Sequence, residues 1–188
     1  MKNAAKRLKK DMEFMSAKKF KSKCCLMKKS HFTRSRKMHL PKLILTVLFR
    51  KGRSLKIELK EFYSKLKQPK ISKPGYLKQR LKLNPQSFLD VARFHAKQFY
   101  NDNSNVKKQK GYLVFSCDGG DLNIPSTPEN ITLFHDSSKR GNYPRPQAGF
   151  SCLFDVLNRQ ICDCAVSYCK TRERIEALSH IKKRRNYW

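Results

Sequence analysis

Acidic residues are scarce in this sequence. Its 188 residues carry 14 Asp and Glu against 43 Lys and Arg, a formal charge of +29. So large an imbalance implies a polyanionic partner, with nucleic acid and an anionic membrane surface as the main candidates. Long apolar runs are also missing, which disfavours the membrane. The longest, Leu43-Ile44-Leu45-Thr46-Val47-Leu48-Phe49, falls far short of the ~20 residues needed to span a bilayer. The basic N-terminus MKNAAKRLKKDMEF leads into no apolar stretch of the kind a secretion signal carries. A soluble cytoplasmic protein without a membrane partner is the expectation. Nor is there a C-x2-C pair, or a suitably spaced Cys/His set, among the seven cysteines, so a zinc framework is not expected. With no secretion signal, the cysteines read as reduced thiols packed in a core. On a strand, Cys162-Asp163-Cys164 would put two of them on one face.

The charge is uneven. Residues 1–110 hold 32 basic and 6 acidic side chains, whereas residues 111–188 hold 11 and 8. The halves differ in kind, and the polar segment Asn101–Gly111 reads as the linker between them. Residues 1–30 read as a solvated basic arm, either ordering on phosphates or serving as a disordered tail.

Regular patterning begins after Phe32. Pro41 sits where a helix opens and Gly52 where one stops, with Leu43, Ile44, Val47 and Leu48 on one face. Ser54 reads as the N-cap of a second helix carrying Leu55, Leu59, Phe62 and Leu66. Ser72 reads as the cap of a third, and Asn84-Pro85 opens a fourth with a stripe of Phe88, Val91, Ala92, His95 and Phe99. His95 there reads as a core-edge histidine. Two short helices joined by a tight turn resemble a helix-turn-helix, with the recognition helix at Ser72–Leu83. Tyr76, Lys78, Gln79, Arg80 and Lys82 would then meet phosphates and base edges, while Leu77 and Leu81 pack inward. The alternative is a charged helix face that is merely solvated.

An acidic island follows. Gly111–Cys117 is uncharged and reads as a buried strand, ended by Asp118-Gly119-Gly120. Phe150–Leu157 and Gln160–Cys169 read as two further strands turning at Asn158-Arg159. Thr171 opens a helix with Ile175, Leu178 and Ile181 facing inward. A carboxylate at the end of a buried strand is costly unless paired or holding a metal. Asp118 is therefore either a ligand for a divalent cation such as Mg²⁺ or the start of an Asp-Gly turn.

In their order, five blocks resemble the DDE-type transposases of bacterial insertion sequences, most closely the group numbered four. They are FTRSRKMHLPKLILTVLFRKGRSLKIELKEFY, SKPGYLKQRLKLNPQSFLDVARFHAKQFY, GYLVFSCDGGDLNIP, YPRPQAGFSCLFDVLN and TRERIEALSHI. The resemblance runs from Phe32 to the last residue. It implies an α+β protein: a basic arm at 1–30, an all-helical DNA-binding region at 31–108, and an incomplete RNase H-like α/β catalytic core at 109–188. It also implies Mg²⁺-dependent cutting and joining of double-stranded DNA at the terminal inverted repeats of a mobile element.

Carried over by residue, Asp118 matches the first catalytic aspartate and is the implied metal ligand, although Gly120 stands where the family usually has Ser or Thr. Asp121 has no catalytic counterpart. Asp155 and Asp163 match strand or hairpin residues. The family's second aspartate, and its glutamate in a Tyr-Arg-Glu-Lys signature, have no match here. One carboxylate of three cannot hold two ions, so the expectation is a truncated copy, inactive alone, working as a homodimer or with a complementary C-terminal fragment. The same resemblance implies that the strand before Asp118 has an unpaired edge, an aggregation hazard. Two other functions stay open. One is a DNA-binding regulator that occupies element ends and inhibits the full enzyme. The other is a basic RNA- or ribosome-associated protein, which lacks RNP-like aromatic signatures and leaves the acidic island unexplained.

Overall fold

Proline and small polar residues start several helices of the computed structural model, which is described over residues 2–27, 31–33, 37–102, 106–134, 146–168 and 173–185. Helices α1 (Lys2–Ser16), α2 (Lys18–Lys23), α3 (Leu40–Leu48), α4 (Leu55–Lys65), α5 (Lys73–Arg80) and α6 (Gln86–Asp102) come first. Strand β1 (Phe115–Asn123), helix α7 (Pro128–Phe134), strands β2 (Gln147–Asp155) and β3 (Gln160–Tyr168), and helix α8 (Glu173–Arg185) follow. The protein is α+β. It divides into two compact units, Met1–Val91 and Ala92–Trp188, so the division falls inside α6 and not at the polar Asn101–Gly111 segment.

Pro41 occupies the first turn of α3. Ser72 Oγ caps α5 by accepting the Gly75 N–H at 3.2 Å. Asn84 Oδ1 accepts the Gln86 N–H at 3.0 Å where α6 begins. Ser54 precedes α4 but makes no side-chain cap bond. Glu58 instead ties down the loop before α4, accepting the N–H groups of Lys51 and Arg53 at 2.9 and 2.8 Å. Gly52 between them has φ +77°, a conformation that costs glycine little and turns both donors toward one carboxylate.

The helical unit is built on a core that includes Met15, Phe20, Cys24, Leu40, Leu43, Ile44, Leu59, Tyr63, Tyr76 and Leu83. Each such side chain contributes about 1.5–3 kcal/mol by leaving water. Residues 1–27 are thus no solvated arm: α1 and α2 deliver Met15, Phe20 and Cys24 to this core. The backbone is tied in as well. Asn84 N–H donates to Cys24 O at 2.8 Å, and Leu26 N–H to Lys82 O at 2.9 Å. Lysine density hid three apolar anchors spaced four to five residues apart.

The second unit holds a three-stranded antiparallel sheet in the order β1-β2-β3. The β2–β3 turn runs through Asn158-Arg159 as expected, with Arg159 at φ +52°. Two expectations fail here. Only Phe115–Cys117 of the apolar Gly111–Cys117 stretch is strand; β1 runs from Phe115 through the glycine pair to Asn123, and most of it is exposed. The ladder bonds to β2 hold the chain extended where an Asp-Gly turn was expected to end it. Ile175, Leu178 and Ile181 are likewise turned out, 58, 57 and 51 % exposed, while Glu176 and His180 of α8 are buried. Polar bonds to the sheet set this rotation: His180 meets Ser151 and Asp163, and Ser167 bonds Glu176. Cys169 and Thr171 lie outside the described residues.

Candidate nucleic-acid interface and catalytic carboxylate

Helix α5 is fixed by Tyr76, which is fully buried. Tyr76 is therefore not available to DNA, as the helix-turn-helix reading required, and Leu77 and Leu81 do not pack inward. They are exposed, beside Lys78 and Arg80. The periodicity permitted either rotation of this short helix. The tyrosine's larger apolar body settles it by filling the core under Ile71 and Leu83. Burial raises the Tyr76 hydroxyl above its ordinary pKa, and that hydroxyl finds no hydrogen-bond partner among the described residues.

Of the other expected contact residues, Lys78 and Arg80 are exposed, and Gln79 and Lys82 are half-buried. The outward face of α5 thus carries Lys73, Leu77, Lys78, Arg80 and Leu81. It presents three cations and two exposed leucines. Sequence reasoning missed the leucines because it assigned them to the core.

Asp118 lies in the middle of β1, an edge strand, with its carboxylate exposed. Its Oδ1 accepts the Gly119 N–H at 2.9 Å, and its backbone neighbour across the ladder is Cys152. Asp121, three residues on, falls on the opposite face. One carboxylate therefore stands on this face of β1. Among the described residues, no group of three or more His, Cys, Asp or Glu side chains could hold a metal ion. Magnesium is typically held by one or two carboxylates plus substrate phosphate oxygens, and a two-ion clamp needs more than Asp118. The described residues do not fit the implied pair of ions, and no cleavage step is assigned to them.

The chemically densest cluster lies elsewhere. Asp163 accepts from Arg93 Nε and Nη2 at 2.8 Å each, and its other oxygen lies 2.9 Å from His180 Nδ1. His180 Nε2 lies 2.8 Å from Ser151 Oγ. These are the distances of a nucleophilic Ser-His-Asp triad. Ser151 and His180 are only 2 % and 1 % exposed, however, so a substrate carbonyl is kept from Oγ. The cluster is a structural clasp between α6, the sheet and α8.

A second clasp surrounds Asp155, which is fully buried. It accepts from Tyr100 Oη at 2.6 Å and from Asn158 N and Nδ2 at 3.0 and 2.9 Å. Burial, then the bonds to Asp155 and Cys162, push the Tyr100 hydroxyl far above its ordinary pKa. Asp155 and Asp163 are thus sheet residues, as the resemblance implies, but Arg93 and Tyr100 as their partners had no signal in the helical periodicity. A bulge between Leu153 and Phe154 also separates the paired cysteines. Cys162 faces Tyr100 at 3.3 Å, whereas Cys164 faces Cys152 at 3.9 Å, so the shared face expected of them is lost. Cys117, expected in a core, is exposed.

Among the described residues, no helix is long and apolar enough to cross a membrane. No family model, no curated protein and no solved structure matches the chain.

Proposed function

We propose that this chain is the DNA-gripping portion of a DDE-type transposase, together with the strand that bears the first carboxylate, Asp118. The observation that carries the reading is the outward face of α5. Its cations Lys73, Lys78 and Arg80 stand on a helix anchored by buried Tyr76, in a half of the chain with 32 basic and 6 acidic side chains. A rigid helix with a cationic outer face suits entry into a major groove, where phosphate contacts position and side chains near base edges discriminate. The antiparallel β1-β2-β3 order followed by α8 agrees with the opening part of an RNase H-like core. Asp118 then holds Mg²⁺ only when further carboxylates and DNA phosphates join it. In this reading the chain binds duplex ends through the outward face of α5.

The test is selection of bound sequences from a random duplex pool, alongside a single-stranded RNA competitor. The reading expects an enriched duplex motif, resistant to RNA competition and lost in Lys78→Ala/Arg80→Ala. Preference for the RNA would replace it with the RNA-associated reading.

A further inference from the structure

Cys152 and Cys164 are direct partners across the β2–β3 ladder, and their sulfurs lie 3.9 Å apart. We propose that they form a redox-active dithiol that closes to a cross-strand disulfide by exchange with a low-molecular-weight disulfide. This inference does not rest on the DNA-binding reading.

The geometry singles out this pair among the described cysteines. The bulge turns Cys162 toward Tyr100. Cys117 Sγ approaches Ser151 Oγ, on the other face from Cys152. Cys24 is sealed in the helical core, and Cys25 donates to the carbonyls of Lys21 and His31. Cys152 and Cys164 instead meet thiol to thiol. Bringing the sulfurs to about 2.05 Å requires side-chain rotation at both residues, since directly opposed side chains on a ladder already project together. Access is available too. Both cysteines are half-buried, and Val166, on the same face of β3 and next along it, is 65 % exposed.

The exchange balances as two successive displacements. The Cys164 sulfur, after giving up its proton, attacks one sulfur of the small disulfide and releases one small thiolate, leaving a mixed disulfide. The Cys152 sulfur, also deprotonated, then attacks the Cys164 sulfur and releases the second small thiolate. The two protons end on the two released thiols. The protein loses two electrons and the small disulfide gains them.

Burial holds both thiols above their ordinary pKa, Cys152 at about 12, so closure is slower than at an exposed, acidic thiol. At Cys164 the hydrogen bond it shares with Cys152 works against that burial.

The experiment incubates the full chain with oxidised glutathione, blocks free thiols, and maps peptides without reduction. The expected product is lighter by two hydrogens and links the peptide holding Cys152 to the peptide running from Gln160. It persists in Cys162→Ser and in Cys169→Ser, which share that second peptide with Cys164. It is lost in Cys164→Ser. A link retained in Cys164→Ser, a stable mixed disulfide without closure, or no change at all each overturns the proposal. Fragmentation of the linked wild-type peptides, which must place the bond at Cys164 and not at Cys162 or Cys169, decides the matter whatever a variant does to folding.

Discussion

His180 and Asp163 form a buried pair, with Nδ1 of the ring 2.9 Å from a carboxylate oxygen. The ring's other nitrogen meets Ser151 on β2, so one side chain of α8 fastens to two strands. His180→Ala leaves Ser151 and one oxygen of Asp163 without their partner in the interior. The expected loss is about 2–4 kcal/mol, and Ser151→Ala should lose about 1. Urea unfolding monitored on the sheet checks both, and equal effects would contradict the histidine's central place.

Tyr76 offers a sharper contrast. Its ring fills the helical core while its hydroxyl has no hydrogen-bond partner among the described residues. Tyr76→Phe should therefore keep or slightly raise the melting temperature, because removing an unsatisfied buried hydroxyl costs nothing. Tyr76→Ala should lose about 3–5 kcal/mol. If Tyr76→Phe instead weakened DNA binding with stability intact, the tyrosine would be a contact residue after all.

Much of the local architecture was legible in the residues themselves. Pro41, Ser72 and Asn84-Pro85 mark helix starts because each acts through its own backbone neighbours. Asn158-Arg159 marks the hairpin for the same reason. What stayed hidden depended on distant partners. The rotations of α5 and α8 are set by a tyrosine's core and by His180's bonds to the sheet, and periodicity alone allows both rotations. The start of β1 is not legible because the apolar run before it has the composition of a strand. Ladder pairing with β2 instead holds Asp118-Gly119-Gly120-Asp121 extended, against its turn preference. The cationic face of α5 is readable in charge and spacing, but the outward leucines are not.

Acid should loosen the α3–α4 connection. Burial works to raise the Glu58 carboxyl, but the Lys51 and Arg53 N–H bonds, then the charges of Arg50 and Arg53, outweigh it and hold the group below its ordinary range. With its folded pKa below its unfolded value, its stabilisation is full above about pH 4.3 and is lost as pH falls through the folded value. Urea midpoints against pH should fall more steeply there for the wild type than for Glu58→Gln. Parallel curves would remove Glu58 from that role.

The exposed stripe on α8 makes an opposite kind of prediction. Ile175→Lys or Leu178→Lys should change stability by less than about 0.5 kcal/mol, as surface substitutions do. Each should also raise solubility by breaking an apolar patch. Buried positions would cost several times more, so sedimentation and melting together decide which way the helix faces.

The most direct measurement of the central claim is duplex DNA affinity of the intact chain as a function of salt. The account predicts tight binding at low ionic strength, with log K falling by about 0.9 per phosphate contacted for each tenfold rise in salt. Lys78→Ala/Arg80→Ala should weaken binding and flatten that slope by about 2, at unchanged melting temperature. An intact, folded chain that ignores duplex DNA at low salt, or a double variant with the wild-type slope, would contradict it.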